Sequence, residues 1–312
     1  MVETKRLSLA TVLILMVSLA GCQGGSGSAS SANATSSGAA SGSLPLGDGM
    51  YSTTPKVGYL MSCQTQWAKS VTHSGFWIQG NVWYPSEKIA VQGSVTWPNA
   101  NTSITLSGNT MTITSNNLPE PPETTGIFPT QTTDPAYQYD PNPNAITPQT
   151  IILTLPANPT VATAPTCVPM GMIGFTTTGV AIFDALDDSG HDAVAHEVQD
   201  SCEGHPDKSG QYHYHGPSPC MPNEMTSGLV GYALDGFGIY GEVDYATGKI
   251  LHDSDLDACH GTTSLVDWHG HMVNMYHYVL TAEFPYTVGC FKGTPVAADL
   301  TAAQKGQIAN FP

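Results

Sequence analysis

Glycine and proline are spread along the whole chain, and they constrain its fold more than any other feature. The 312 residues include 32 glycines and 23 prolines, which interrupt helices and favour turns. No long amphipathic helix alternates with the candidate strands, which argues against a helical bundle and against a doubly wound α/β fold. We therefore expect a mainly β protein, a β-rich α+β fold with short helices, long loops and disulfides.

The first residues read as an export signal. Lys5 and Arg6 precede an apolar run over residues 7–20, which has the length of a signal-peptide core. The run ends in Leu19-Ala20-Gly21-Cys22, which resembles the lipobox of bacterial lipoproteins. The resemblance implies that residues 1–21 are a lipoprotein signal peptide and that a lipid on Cys22 binds the membrane. The alternative is a transmembrane anchor with an incidental cysteine.

Residues 22–46 predict a flexible Gly/Ser linker, because this composition buries too little apolar surface to become ordered. Together with the lipid, the linker predicts an extracytoplasmic protein anchored in the cell envelope, at the outer membrane or facing the periplasm. Nine Lys and Arg against 25 Asp and Glu give a net charge of −16. The chain lacks the basic surface that binding to nucleic acid requires. The sequence identifies no protein or small-molecule partner.

Six cysteines remain when Cys22 is set aside, and in an exported protein an even number of cysteines predicts disulfides. We expect three disulfides, and pairing neighbours along the chain gives Cys63–Cys167, Cys202–Cys220 and Cys259–Cys290. A cysteine-based zinc site is the alternative, although no CxxC spacing supports it.

Two regions of different character follow the linker. Residues 47–164 predict a β-rich N-terminal region with a hairpin around Ser107-Gly108-Asn109-Thr110 and a long loop over 118–149. Residues 165–312 contain most of the histidines, with a short helix expected over 192–199 and a closing helix over 300–310. Whether the N-terminal region is a separate domain or packs on the second region stays open at this point.

Histidine crowding is the strongest functional signal in the chain. All but one of the 11 histidines lie between His191 and His277. Among them, Tyr212-His213-Tyr214-His215 alternates strictly, so that on a strand both imidazoles face one side and both phenols the other. Two imidazoles on one strand face can begin a metal site that needs one or two more ligands. The alternative is a pair of hydrogen-bonded structural histidines.

Other residues are candidates to complete the site. Each alone favours a structural role, and they gain weight only as a set with His213 and His215. The candidate ligands beyond His213 and His215 are His196, His205, Asp235 and His277. Imidazole favours zinc or copper. Calcium fits less well, because Asp253-Ser254-Asp255-Leu256-Asp257 opens like a calcium loop but lacks the glycine and glutamate that should follow.

The histidine motif has a weaker echo later in the chain. Residues 211–215 precede Cys220, and Met275-Tyr276-His277-Tyr278 precedes Cys290 in a similar way. The echo suggests two related β units, of which the second has Val279 where the first has His215.

The order of these motifs resembles the YHYH domain family of mostly exported bacterial proteins, over about residues 165–293. The segments that carry the resemblance are Gly179–Leu186, His191–Glu197, Gly204–Pro206, Tyr212–His215, Gly231–Gly241, Asp255–Gly261, Phe284–Tyr286 and Gly289–Phe291. The resemblance implies a YHYH domain over 165–312 but no established activity.

Three functions remain consistent with the sequence, which does not decide whether the protein is an enzyme. The leading hypothesis is an exported, lipid-anchored protein with a histidine-rich site for a divalent metal. The second is an extracytoplasmic hydrolase, in which a histidine acts as general base and Asp235 or Glu197 orients it. The third is a binding or structural module of the cell surface.

Overall fold

A computed structural model of the chain describes residues 42–68 and 73–312. The signal peptide, the lipidated Cys22 and most of the linker over 22–46 therefore lie outside the described residues. The expected mainly β fold is confirmed, because the described chain consists of short strands, turns and few helices. No helix among the described residues has both the length and the apolar character needed to cross a bilayer.

The strands before residue 160 are short and form several small sheets. They are β1 (Leu44–Pro45), β2 (Tyr51–Ser52), β3 (Leu60–Met61), β4 (Ile78–Gln79), β5 (Val82–Trp83), β6 (Val95–Thr96), β7 (Thr102–Ser107), β8 (Thr110–Ser115), β9 (Thr124–Thr125) and β10 (Ile151–Pro156). The expected hairpin is present as β7–β8, and β10 extends it into the three-stranded order β10-β8-β7.

The later strands form one sheet of eight. They are β11 (Met172–Thr176), β12 (Ala181–Phe183), β13 (Gly204–Pro206), β14 (Tyr212–Tyr214), β15 (Leu229–Ala233), β16 (Gly238–Tyr240), β17 (Gly261–Trp268) and β18 (His271–Val279). Their order across the sheet is β13-β14-β12-β11-β15-β16-β18-β17.

The large sheet consists of two halves with the same topology. In each half two antiparallel hairpins meet through one parallel pairing, β12 with β14 in the first half and β16 with β18 in the second. The register places Ile182 beside Tyr214 and Ile239 beside Tyr278. The echo in the sequence thus corresponds to a structural repeat.

The loops that enter the second hairpin of each half repeat in detail. Asp200 accepts hydrogen bonds from the backbone N–H groups of Cys202 and Gly204. Asp257 accepts the equivalent bonds from Cys259 and Gly261. The shared pattern D-x-C-x-G follows from this geometry, since one carboxylate closes the turn that carries the cysteine.

Helices contribute little to the fold, as expected. Among the described residues the two α-helices are α1 (Ala193–His196) and α2 (Ala302–Ala309), and 3₁₀ turns occupy Pro85–Glu87, Pro135–Gln138 and Asp253–Asp255. Asp192 caps α1 through the Ala195 N–H. Thr301 caps α2 with Gln304 in a capping box.

One hydrophobic core joins the N-terminal region to the large sheet, and all described residues belong to one compact unit. Trp77 is fully buried, and its indole N–H donates to the Ala195 carbonyl at 2.8 Å. Asn117 donates to the Tyr212 carbonyl at 2.7 Å, and the Val91 N–H donates to Gln199 at 2.9 Å. The N-terminal region therefore helps to position the strand and loop that carry the histidines.

Three disulfides staple this unit, and they are the pairs that adjacency along the chain predicts: Cys63–Cys167, Cys202–Cys220 and Cys259–Cys290. The first closes the longest loop, with a sequence separation of 104 residues, and connects the N-terminal region to the second region.

Candidate metal centre

The histidines of the YHYH motif converge on one side of β14. Tyr212 and Tyr214 fill the core on the other side and are almost completely buried. His213, on the strand, and His215, one residue beyond its end, bring their Nε2 atoms to 3.0 Å of each other. Alternation along an extended segment thus produces the convergence that the sequence suggests.

The outer nitrogens of both rings are fixed by backbone carbonyls. His213 Nδ1 lies 3.0 Å from the Gln211 carbonyl oxygen, and His215 Nδ1 lies 2.5 Å from that of Asp184. Because a carbonyl oxygen only accepts, each Nδ1 carries the proton and donates it. In neutral rings, both Nε2 lone pairs then face each other, an arrangement that needs a shared proton or a cation between them.

His205 supplies a third imidazole from the neighbouring strand. The register of β13 and β14 sets it directly opposite His213, and their ring centroids lie 4.6 Å apart. One ligand atom from each of His205, His213 and His215 lies within 4.8 Å of the others. Both ring nitrogens of His205 are buried and have no hydrogen-bond partner. A buried imidazole in this state needs an explanation, and a bound ion is one that would supply the missing partner.

Glu197 completes the cluster with a carboxylate. Its Oε2 lies 3.0 Å from His215 Nε2 and 3.3 Å from His205 Nε2. This oxygen is buried, and both imidazole nitrogens lie within ion-pair distance of it. Glu197 follows the last residue of α1 and has an extended backbone, with φ −81° and ψ 143°. The early end of the helix therefore turns Glu197 toward the histidines.

Burial and mutual charge set the protonation of these groups. Burial works against ionisation of Glu197, but His205 and His215 hold its pKa well below the usual range. Burial, reinforced by His205 and His215, holds the pKa of His213 well below the usual range. Burial also opposes the charged form of His215, yet the Glu197 carboxylate raises its pKa overall. The cluster thus combines a carboxylate with at least one neutral imidazole, the forms that bind metal.

The surroundings of the cluster hold the rings rigidly. The Phe183 ring stacks on His213 with centroids 3.8 Å apart and an interplanar angle of 20°. The three histidines are only 3–5% exposed, whereas the Glu197 side chain is 22% exposed. The cluster is therefore sealed on the imidazole side and open to solvent beside the carboxylate.

The geometry suits a small divalent transition metal. Two nitrogens bound to one tetrahedral zinc at about 2.0–2.1 Å lie about 3.3 Å apart, which is close to the 3.0 Å between the Nε2 atoms of His213 and His215. The N–H of each of these rings is held by a backbone carbonyl, as is usual for metal-bound imidazole. The group could hold a metal ion through three nitrogens, with Glu197 beside it.

Three of the residues predicted as ligands have other partners. His196 Nε2 lies 3.1 Å from Asp48, and its Nδ1 faces the His73 carbonyl oxygen. Asp235 accepts hydrogen bonds from the Tyr278 hydroxyl and the Gly293 N–H. His277 Nδ1 lies 3.2 Å from the Met275 carbonyl oxygen. None of the three belongs to the metal-compatible groups among the described residues.

The second half of the sheet has an equivalent position without the ligands. His277 corresponds to His213, and the register of β17 and β18 sets Thr262 opposite it, where His205 stands in the first half. Val279 replaces His215. Of the three imidazoles in the first half, only that of His213 therefore has a histidine counterpart in the second half.

A second group of potential ligands consists of Glu123, Cys202 and Cys220. Both cysteines form a disulfide with each other, so they offer no thiolate to a metal. The aspartates of the calcium-like loop have separate partners, since Asp255 pairs with Lys249 and Asp257 with Lys292.

The fold and site define a disulfide-stapled β protein with a buried histidine cluster. A family model described as YHYH protein matches residues 152–252, and this segment of the chain belongs to that family. Over these residues the match confirms the resemblance seen in the motifs, and it contains Glu197, His205, His213 and His215. The searches of curated proteins and of solved structures gave no match.

Proposed function

We propose that the protein binds one divalent transition metal ion through His205, His213 and His215, with Glu197 as a fourth ligand or as the carboxylate that orients a bound water. One observation carries the proposal: two Nε2 atoms face each other at 3.0 Å while both Nδ1 atoms donate to backbone carbonyls. A metal ion resolves this lone-pair conflict and also gives a partner to one of the two unpartnered nitrogens of His205.

Zinc and copper are the metals that this donor set favours. Imidazole nitrogen is a borderline ligand that these ions prefer, whereas calcium and magnesium prefer oxygen. The single carboxylate of Glu197 is too little oxygen for a calcium site.

The protein is proposed to act outside the cytoplasm, anchored by a lipid on Cys22. Three disulfides support this location, since they persist in oxidising compartments. The apolar run over residues 7–20 and the Leu19-Ala20-Gly21-Cys22 sequence support the anchor.

The hydrolase alternative has one observation in its favour and one against it. Glu197 is within hydrogen-bond reach of His215, as a carboxylate that orients a general base must be. The imidazoles are nevertheless 95% or more buried, so a substrate has no direct access to them. Burial therefore favours metal binding over direct base catalysis.

The test is the metal content of protein purified without a His tag, after incubation with Zn²⁺ and Cu²⁺ and removal of free ions. We expect about one metal ion per chain, lost when His213→Ala and His215→Ala are combined. His277→Ala is the matched control, because His277 has the same place in the repeat and the same Nδ1 contact with a backbone carbonyl. Sub-stoichiometric metal that is unchanged in the double variant contradicts the proposal.

A further inference from the structure

A buried lysine outside the histidine cluster contacts a buried side-chain amide. Lys88 follows the 3₁₀ turn Pro85–Glu87, and its side chain is 4% exposed. Its Nζ contacts Gln199 Oε1 and lies 2.5 Å from the Val194 carbonyl oxygen. Glu203 Oε2 lies 3.6 Å from the same Nζ. A lysine so buried is uncommon unless it is paired or reactive.

The amide is held in a fixed orientation. Gln199 is 2% exposed, and its Nε2 donates to the Ala193 carbonyl at 3.2 Å, so Oε1 points toward the lysine. Nearby, the Val91 N–H donates to the Gln199 carbonyl at 2.9 Å, which holds the two backbone segments together. The contact between Nζ and Oε1 therefore places the Lys88 amine directly beside the side-chain amide of Gln199, the proximity that an intramolecular attack requires.

We propose that Lys88 and Gln199 form an intramolecular isopeptide bond, with Glu203 as the carboxylate that assists the reaction. The bond would join the N-terminal region to the YHYH domain between α1 and β13. The proposal is independent of metal binding and rests on a different set of side chains.

The reaction balances without a co-reactant. The neutral Lys88 amine attacks Cδ of Gln199, the new Nζ–Cδ bond forms, and the Cδ–Nε2 bond breaks. One proton leaves Nζ and is gained by the departing nitrogen, which is released as ammonia. The Glu203 carboxylate, beside Nζ, is placed to carry that proton. No oxidation or reduction takes place.

The environment supports this chemistry. Burial lowers the pKa of the Lys88 ammonium, although Glu203, Asp192 and Glu197 act in the opposite direction, and a lower pKa increases the share of the nucleophilic amine. Exclusion of water from the pair slows hydrolysis of the product. The isopeptide bond would be a fourth covalent crosslink in the chain. Reducing agents would leave it intact, whereas they cleave the three disulfides.

The test is the mass of the purified, reduced full chain. An isopeptide bond predicts a mass about 17 Da below that of the same chain without it, the mass of the lost ammonia. Lys88→Arg should restore the full mass, since a guanidinium does not attack the amide. Lys292→Arg is the control, because Lys292 pairs with Asp257 and has no amide beside it, and this variant should keep the deficit.

Peptide mapping of the wild-type chain locates the bond even if Lys88→Arg fails to fold. Cleavage after Glu87 and Glu123, and after Glu197 and Glu203, releases segments 88–123 and 198–203. A branched species that contains both, stable to reduction, is the expected result. Recovery of both segments as separate peptides, from a wild-type chain of full mass, overturns the proposal.

Discussion

Tyr212 offers a sharp test of how the sheet holds the histidine strand. Its hydroxyl donates to Asp200 at 2.9 Å, and Asp200 is completely buried. Tyr212→Phe keeps the ring and its packing but removes this donor. Backbone N–H groups still reach the carboxylate, among them that of Gly126 at 2.7 Å. Because no water replaces the lost hydroxyl, we expect a loss of about 1.5–3 kcal/mol in the free energy of unfolding.

The repeat supplies the matched control for this substitution. Tyr276 donates to Asp257 at 3.0 Å in the equivalent loop, but the Asp257 side chain is 34% exposed and pairs with Lys292. Since water and the lysine compensate there, Tyr276→Phe should cost only about 0.5–1 kcal/mol. Urea unfolding of both variants with disulfides oxidised measures the two losses. Equal losses would refute the reasoning that burial of the carboxylate sets the cost.

Three further predictions concern the pH dependence of stability, the Cys63–Cys167 disulfide and the role of Glu197 in metal binding. Burial raises the pKa of Asp192 to about 6, so the folded state binds a proton between pH 3.8 and 6 that the unfolded state does not. The free energy of unfolding therefore falls by about 3 kcal/mol as pH rises through this range, and Asp192→Asn should remove that part of the slope in urea titrations. Replacing Cys63 and Cys167 by alanine opens a loop with a separation of 104 residues and should cost about 4–5 kcal/mol in calorimetry. Glu197→Gln should weaken metal binding about 10- to 100-fold in isothermal titration, and unchanged affinity would exclude Glu197 from the site.

Much of the fold follows from local sequence rules. In the part of the chain that the structure describes, glycine and proline limit the α-helices to α1 and α2, and the turn at Gly108 and Asn109 sets the β7–β8 hairpin. The strict alternation of residues 212–215 places tyrosines in the core and histidines together. In each case a short-range pattern decides the outcome, so the sequence alone is sufficient.

The rest of the site depends on contacts that no local pattern shows. A helix is expected over 192–199, but α1 ends at His196, and Glu197 turns to the cluster instead. The clue available in the sequence is the position of Glu197 directly after a histidine within the family motif. His205 joins the cluster only through the antiparallel pairing of β13 with β14, a long-range property of the sheet.

The repeat explains why several predicted ligands lie elsewhere. His277 and Asp235 belong to the second half of the sheet, where Thr262 and Val279 occupy the places of His205 and His215. Sequence similarity between the halves brings His277 to notice, but that similarity reflects an equivalent strand position and not proximity to His213. Within the second half, Asp235 accepts a hydrogen bond from the Tyr278 hydroxyl at 2.6 Å.

Anomalous diffraction from crystals grown with zinc tests the central claim most directly. We expect one peak at the zinc edge about 2.0–2.1 Å from the Nε2 atoms of His213 and His215, with His205 as the third nitrogen ligand and Glu197 beside the ion. A zinc-saturated crystal with no peak among these side chains, or with its peak elsewhere on the chain, would contradict the account.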